Sequence, residues 1–348
     1  MAALPKAAGD GGAPAAPLVR LVVVAYNSGG DLRRCLDCLL AQSVTALEIV
    51  VIDNASTDGA VEALEIADAR VTLVRLPANL GFAAANNRAV EDARTPFVAL
   101  VNPDAFAEPD WLARMLAGAE RHPWADMFAS VQLKADDPSR LDGLGDCYFA
   151  GGVAWRGGFG QPFEPPAADR RVFAPCGAAA LFRTTRFRAA GGFDERYFCL
   201  LEDVDLAFRL RLLGGDCVLV ADALVRHTGS ATIGENSDFS LYHLARNQSW
   251  VFLKNMPLPL LVPLLPVHLA LVALQLASSL RRRRCRPVAR GLRDSARGLA
   301  ALWRTRRAVQ AGRQVGLGTL ARSFTWSPRR LLRRDACLRG LPGRGGRE

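Results

Sequence analysis

Three carboxylates, Glu202, Asp203 and Asp205, fall within four positions of "CLLEDVDLAFRL" (199–210), bracketed by apolar residues. Clustered negative charge repels itself and is costly to desolvate. The group therefore faces water at a helix start or serves chemistry. At a helix N-terminus a carboxylate gains roughly 0.3–1 kcal/mol from the aligned peptide dipoles. That keeps it ionised and able to take a proton, an action worth typically ~10²–10⁴-fold in rate. A capped surface helix accounts for Glu202 and Asp205 as well. "VNPDA" places Asp104 where a carboxylate can hold a divalent cation, with diphosphate oxygens filling the other positions. Asn and Pro also favour a turn there by themselves. "LVRHTGS" contains His227, a structural or exposed residue when alone and a metal ligand when paired with a distant Asp. "DNASTDG" carries Asp53, either an Asx-turn and helix cap with Ser56 and Asp58 or an acceptor for a nucleobase N–H or ribose hydroxyl. No GxGxxG follows the first apolar run and no GxxxxGK[ST] occurs, which disfavours a glycine-rich phosphate cradle. A metal ion is the usual substitute for neutralising phosphate charge.

These side chains sit at the ends of predicted elements. "LVRLVVVAY" (18–26), "LEIVVID" (47–53), "VTLVRL" (71–76) and "PFVALVN" (96–102) read as buried strands. Between and after them, 28–43 (with Asp31 as N-cap), 56–67, 81–93 and 108–120 read as helices. Alternating strand and helix with short links predicts an α/β fold with a mostly parallel sheet and helices on both faces. Ligands then bind at the carboxyl ends of the strands, here "AYNSG", "DNASTDG" and "NPDA". Beyond residue 125 the pattern loosens. "CYFAGGVAWRGGFGQPF" (147–163) suggests hairpins or a long loop, a helix from 202 stops at Gly214 and Gly215, and 216–227 resumes strand character.

The net charge of +10 hides an asymmetry: residues 281–348 hold 20 Arg against 3 acidic residues, a balance of +17, which leaves residues 1–280 at −7. An acidic body with a basic tail suggests attraction to a polyanion, membrane lipid or nucleic acid. The tail has few aromatics beyond Trp303, Phe324 and Trp326 and no nucleic-acid module, so nucleic acid is not expected. Eight scattered cysteines, with only Cys35 and Cys38 closely spaced, suggest buried thiols in a reducing compartment. Residues 1–16 lack a continuous apolar run and read as a disordered lead rather than a signal peptide.

Residues 256–280 carry no formal charge and are nominally long enough to span a bilayer, which needs ~20 residues. Pro257, Pro259, Pro263 and Pro266 crowd the first half, so an uninterrupted helix is expected only from Pro266. "RRRRCR" (281–286) follows at once. With the α/β body on one flank and arginines on the other, a re-entrant or interfacial segment on anionic lipid is favoured over a single crossing. A buried helical hairpin is the alternative. Residues 289–312 fit a basic amphipathic helix.

The ordered set "VVVAYNSGGDLRRCLDCLLAQ", "EIVVIDNASTDGA", "NLGFAAANNRAV", "VNPDA", "GAAALFRTTRFRAAGGFDERYFCLLEDVDLAFRLRLLG" and "VRHTGS", over roughly residues 18–254, resembles a family 2 glycosyltransferase with the GT-A (Rossmann-like) fold, nearest the bacterial rhamnosyltransferase branch. The resemblance implies roles residue by residue. Ala25, Tyr26 and Asn27 match the lining of the nucleotide pocket, and Asp53 the acidic residue that binds the base. Asn79, Gly81 and Asn87 match the segment beside the nucleotide. Asp104 matches the last carboxylate of the DxD metal motif, and Asn102 stands where many members have the first Asp, leaving one fewer charged ligand. His227 matches the late His that completes the metal site, and Asp203, after Glu202, the catalytic base. Phe193 and Phe198 are expected as wall or stacking groups on the acceptor side, with packing the alternative. Arg246 and Lys254 are placed to meet a lipid diphosphate, with an interfacial salt contact the alternative.

The expectation is a metal-dependent (Mg²⁺ or Mn²⁺) inverting glycosyltransferase. It uses a nucleoside-diphosphate sugar, dTDP-L-rhamnose by resemblance, and a polyprenyl-diphosphate-linked saccharide acceptor in cell-wall or surface polysaccharide synthesis. The expected location is the cytoplasmic face of the bacterial inner membrane. The expected organisation is a lead (1–16), a GT-A catalytic domain (17–245), an apolar membrane-associated segment (246–280) and an Arg-rich helical tail (281–348). Rival readings are transfer of galactofuranose, a hexose or an N-acetylhexosamine, or a non-catalytic membrane adaptor with the same fold.

Overall fold

The computed structural model describes residues 16–229 and 237–342, so nearly all of the expected lead lies outside the described residues. In chain order the elements are β1 (Val19–Ala25), α1 (Asp31–Leu40), β2 (Leu47–Asp53), β3 (Val71–Arg75), α2 (Gly81–Val90), β4 (Phe97–Val101), β5 (Ala105–Ala107), α3 (Trp111–Arg121), β6 (Met127–Lys134), β7 (Leu141–Gly143), β8 (Asp146–Phe149) and β9 (Val153–Arg156). They continue as β10 (Arg170–Val172), β11 (Ala179–Arg183), α4 (Thr184–Ala189), a 3-10 turn (Glu195–Tyr197), α5 (Glu202–Leu212), β12 (Cys217–His227), α6 (Asp238–Asn255), α7 (Leu258–Arg281), α8 (Cys285–Arg297), α9 (Leu299–Ala311), α10 (Leu317–Ser323) and α11 (Pro328–Arg333).

The Val-rich strands are buried on both faces, and their period of two deals side chains alternately to two cores. Val22, Val24, Val50 and Ile52 join the core on the side of α2 and α5. Leu21, Val23, Ile49 and Val51 join the core on the side of α1 and α3. Each fully buried Val or Leu contributes about 1.5–3 kcal/mol relative to exposure, so these runs fix the sheet's centre. The strand order is β10-β12-β6-β11-β4-β1-β2-β3, with β5 beside β12 and β7 beside β6. The half β4-β1-β2-β3 is parallel as expected. The other half is mixed, because β11 enters antiparallel to both β4 and β6. The result is a GT-A-like α/β fold with helices on both sides of a mixed sheet.

Five local expectations are corrected. Residues 56–67 form turns rather than a helix, because Asp53, Ser56 and Asp58 bond nearby backbone N–H groups and Gly59 turns the chain at φ 77°. The apolar helix α7 starts at Leu258, not near Pro266. Pro259 lies in its first turn, where no N–H is needed, and Pro263 and Pro266 sit inside the helix. The basic segment 289–312 is two helices, broken at Gly298, where a Cβ would meet the Trp250 ring at 2.5 Å. Helix α7 is not the buried core of a hairpin: Leu258, Val262, Leu269, Leu274 and Leu280 are all more than half exposed. The expected boundary at 245/246 falls inside α6.

Candidate active site

Adjacent parallel strands put Ala25 of β1 beside Asp53 of β2, so two loops leave the sheet edge together. They are stitched to each other. Asn27, at φ 49°, accepts the Thr57 N–H at 2.8 Å on Oδ1, and Asp58 accepts the Gly29 N–H at 2.8 Å. Asp53 is buried and accepts the Ser56 N–H at 2.8 Å, the predicted Asx-turn. Tyr26 is partly exposed beside it. Asn54, just past β2, carries the linkage on: its Oδ1 accepts from Leu80 N and its Nδ2 donates to Asn79 Oδ1 at 2.9 Å. Asn79 Oδ1 also accepts the Gly81 N–H at 2.9 Å. Gly81 sits at φ 83° against Phe198, where a Cβ would fall 2.5 Å from the ring, so only glycine lets the two segments meet.

The Asp104–His227 pairing comes from sheet register. Chain reversal after β4 makes β5, whose Ala105 lies opposite His227 at the end of β12. His227 Nε2 then lies 3.2 Å from Asp104 Oδ1, out of hydrogen-bonding alignment with it. His227 Nδ1 is 2.8 Å from Asp142 Oδ2, which also accepts from Arg156 Nη1 at 2.6 Å. Burial pulls the His227 pKa down, but Asp104 and Asp142 on either side more than offset it and hold the ring above its ordinary value. Burial pushes both carboxyls up, and the imidazole together with Arg156 outweighs it, so both lie below their ordinary value. The Asn102 side-chain oxygen is buried with no partner.

Asp203 occupies the first turn of α5. Its Oδ2 accepts the Gly177 N–H at 2.9 Å and its Oδ1 the Val204 N–H at 2.7 Å. Burial raises its pKa, against the pull of those amides and of Arg156. It adjoins the Asp104 group across the β11–β4 edge: Asn102 N–H donates to the carbonyl of Ala178 at 2.9 Å, and Ala178 follows Gly177. Asp146 lies buried beyond Asp203, its pKa pushed well up by burial and then by Asp203. Arg156 lowers the pKa of Asp142, Asp146 and Asp203 together.

Several sequence expectations change. Glu202 is not a second exposed carboxylate: it is buried, its Oε2 has no partner, and burial with Asp203 beside it pushes its pKa well above the usual range. Burial thus favours its protonated form. Asp205 is fully buried rather than a surface cap, bonded to Tyr197, Arg209, Lys254 and Asn255. Lys254 is buried in that network and does not face a lipid. Arg246 spends its guanidinium on the carbonyls of Arg196 and Tyr197. Phe193 is core, whereas Phe198 is partly exposed and stacks on His243 at 5.5 Å. Asn87 does not face the Asp53 loop; it bonds Phe193 and Glu195, beside a groove of about 450 Å³. Asp142 and Arg156 were not anticipated; the carboxylate in "LDGLGD" was the only signal.

Among the described residues no three His, Cys, Asp or Glu side chains gather closely enough to close a metal site. The groups a divalent cation would meet are the Asp104 carboxylate, His227 Nε2 and the unpartnered Asn102 oxygen.

Comparison with known proteins agrees with this architecture. The sequence profile described as Glycosyl transferase family 2 matches residues 21–188. The chain is 32% identical over 260 residues, 67% of its length and 83% of the relative's, to N-acetylglucosaminyl-diphospho-decaprenol L-rhamnosyltransferase of Mycobacterium tuberculosis. It is 32% identical over 234 residues, 66% of its length and 61% of the relative's, to the succinoglycan biosynthesis protein ExoO of Rhizobium meliloti. Among solved structures, the mannosyltransferase PcManGT of Pyrobaculum calidifontis, in complex with GDP-Man and Mn²⁺, aligns over 88% of this chain and 86% of its own with TM-score 0.52 at 21% identity.

Proposed function

The chain belongs to glycosyl transferase family 2, and from that premise we propose that it is an inverting, metal-dependent transferase. It moves L-rhamnose from dTDP-rhamnose to a lipid-linked saccharide in cell-wall or surface polysaccharide synthesis. The observation that carries the reading is the placement of Asp203, held by two backbone N–H groups, one sheet edge from the Asp104–His227 pair. The donor and acceptor follow the M. tuberculosis relative, whose name specifies both the rhamnosyl transfer and the diphospho-decaprenol acceptor.

The residues fit a divalent cation. An imidazole nitrogen without an aligned partner lies 3.2 Å from a carboxylate, an orphaned amide oxygen belongs to the residue two positions before that carboxylate, and Asp142 backs the other imidazole nitrogen as carboxylates do behind metal-binding histidines. Asp104, His227 and Asn102 would hold the ion, with diphosphate oxygens and water completing its shell. When bound, it neutralises charge developing on the departing nucleoside diphosphate. The chain's own residues do the rest. Asp53 and the stitched 26–29 and 56–58 loops receive base and ribose. Asp203 takes the proton of the acceptor hydroxyl as that oxygen attacks the anomeric carbon from the face opposite the leaving group. The Gly177 and Val204 N–H groups and Arg156 favour its charged form, against burial, which raises its pKa.

Helix α7 supports work at a membrane surface. Its mean hydropathy reaches 2.1, most of its side chains are not buried, and arginines 281–284 stand at its C-terminal end. It lies along α6 rather than projecting: His268 bonds the Gly151 carbonyl at 2.9 Å and Ser249 at 3.1 Å and stacks on Phe252. A helix tied flat to the body and apolar outward suits an interfacial seat on the anionic cytoplasmic leaflet. The test is transfer to a prenyl-diphosphate-linked GlcNAc in anionic vesicles, with dTDP-rhamnose set against UDP- and GDP-sugars. The expected result is metal-dependent transfer from dTDP-rhamnose with inversion read by NMR. Transfer from a UDP-sugar instead refutes the donor, and retention of configuration refutes the mechanism.

A further inference from the structure

The three positions Phe198, Leu200 and Leu201, just ahead of the catalytic turn, have φ of 66°, 67° and 70°. Non-glycine residues rarely adopt this left-handed conformation, and a run of them persists only where the surroundings impose it. Leu201 is also the N-cap of α5 and offers no side-chain cap, while its carbonyl accepts the Asp205 N–H at 2.9 Å. The start of α5 is therefore set from outside the helix.

The external constraint is α6. Asn247 is fully buried, and its Nδ2 donates to the carbonyls of Tyr197 (3.1 Å), Cys199 (2.8 Å) and Leu200 (2.7 Å). Its Oδ1 accepts from Arg246 Nε at 2.8 Å, and Arg246 Nη2 reaches the carbonyls of Arg196 and Tyr197. An amide nitrogen carries two hydrogens, so three carbonyls share them, and all lie in the 197–201 segment that carries the three positive-φ residues. About two helical turns on, Lys254 and Asn255 bond Asp205, two residues past Asp203. Helix α6 thus grips the base-bearing segment on both sides of Asp203.

We propose that Asn247 is a positioning residue for Asp203. It holds residues 197–201 in a backbone path, with Phe198, Leu200 and Leu201 at positive φ, that a free chain would leave, and so fixes where the carboxylate meets the acceptor hydroxyl. This rests on the reading of Asp203 as the base. Donor binding falls mainly to the β1, β2 and β4 ends, which the hydrogen bonds of Asn247 do not reach.

The experiment compares full-length wild type, Asn247→Ala, Asn247→Ser, Asp203→Asn and Asn247→Ala/Leu200→Gly in vesicles, measuring kcat, donor KM and nucleotide Kd. A displacement near 1 Å costs about 10²-fold in rate. The expected result is that size of fall in kcat for Asn247→Ala, with donor KM and nucleotide Kd within about twofold. Asn247→Ser, keeping one donor, falls between, and carries the test alone if the alanine variant is not recovered folded. Leu200→Gly restores part of kcat, because glycine adopts the left-handed turn without being held. Unchanged kcat in a folded, nucleotide-binding Asn247 variant overturns the inference, as does an equal loss of nucleotide affinity and kcat. Asp203→Asn at wild-type rate removes the base assignment and the inference with it. A wild type silent with every donor fails the transferase reading itself.

Discussion

Replacing Lys254 with Met removes a charge that the fold has taken wholly out of water. Lys254 Nζ lies 2.7 Å from Asp194 Oδ2 and 2.7 Å from Asp205 Oδ1, and the side chains of Lys254 and Asp205 are both 0% exposed. Removing one partner of a buried pair costs about 3–5 kcal/mol, because the other charge is left uncompensated. Two features place Lys254→Met near the lower end, about 3 kcal/mol. Asp205 keeps Arg209 at 2.8 Å and Asn255 at 2.7 Å, and Asp194 keeps Arg196 and some solvent. The assay is urea unfolding followed by tryptophan fluorescence and by far-UV circular dichroism, with Lys254→Met/Asp205→Asn completing a double-mutant cycle. The double variant should lose less than the sum of the singles, since neutralising Asp205 relieves the stranded charge. The pH sign is definite. Burial pushes Asp194 and Asp205 up, but Arg196, Lys254 and Arg209 outweigh it and both end below 3.8. Their contribution is full above 3.8 and fades as pH falls through the folded values, so the gap between wild type and Lys254→Met should narrow in acid. A loss under about 1 kcal/mol, the worth of an exposed pair, or a gap that widens in acid, refutes the reasoning.

Asp142→Asn keeps the shape behind His227 but withdraws the charge, and should weaken Mn²⁺ affinity about 10–100-fold, read by titration calorimetry with nucleotide present; an unchanged affinity counts against His227 as a ligand. Gly81→Ala puts a Cβ 2.6 Å from the Phe198 carbonyl at φ 83°, and should cost about 2–3 kcal/mol in urea unfolding. Glu202 has a folded pKa well above 4.5, so the native state binds the extra proton and stability falls as pH rises from 4.5 towards the folded value. Glu202→Gln should therefore gain on wild type by up to ~1.4 kcal/mol per pH unit across that window, and parallel stability–pH curves would count against a buried neutral acid.

What the sequence made legible followed from local periodicity and from strand ends. Val-rich runs with turn residues after them placed Asp53 and Asp104 at one sheet edge without any knowledge of tertiary contacts. His227 was found because it closes a strand, although its distance from Asp104 depends on the β5–β12 register, which no local pattern encodes. The expected helix at 56–67 failed because side-chain bonds from Asp53 and Asp58 competed with the helical ladder. Glu202 and Asp205 were misplaced at the surface because hydropathy treats a carboxylate as exposed unless its partners are known, and Lys254 and Asn255 lie some 50 residues on. Asn247 and Asp142 act through contacts between distant segments, invisible to spacing rules.

The central claim is that Asp203 is the base of a nucleotide-sugar site built on the ends of β1, β2 and β4. Single-turnover transfer by Asp203→Asn, measured beside its affinity for the donor nucleotide, tests it most directly. Transfer should fall by ~10²–10⁴-fold while nucleotide affinity stays within about twofold. Transfer at the wild-type rate, or nucleotide binding lost together with transfer, would contradict it.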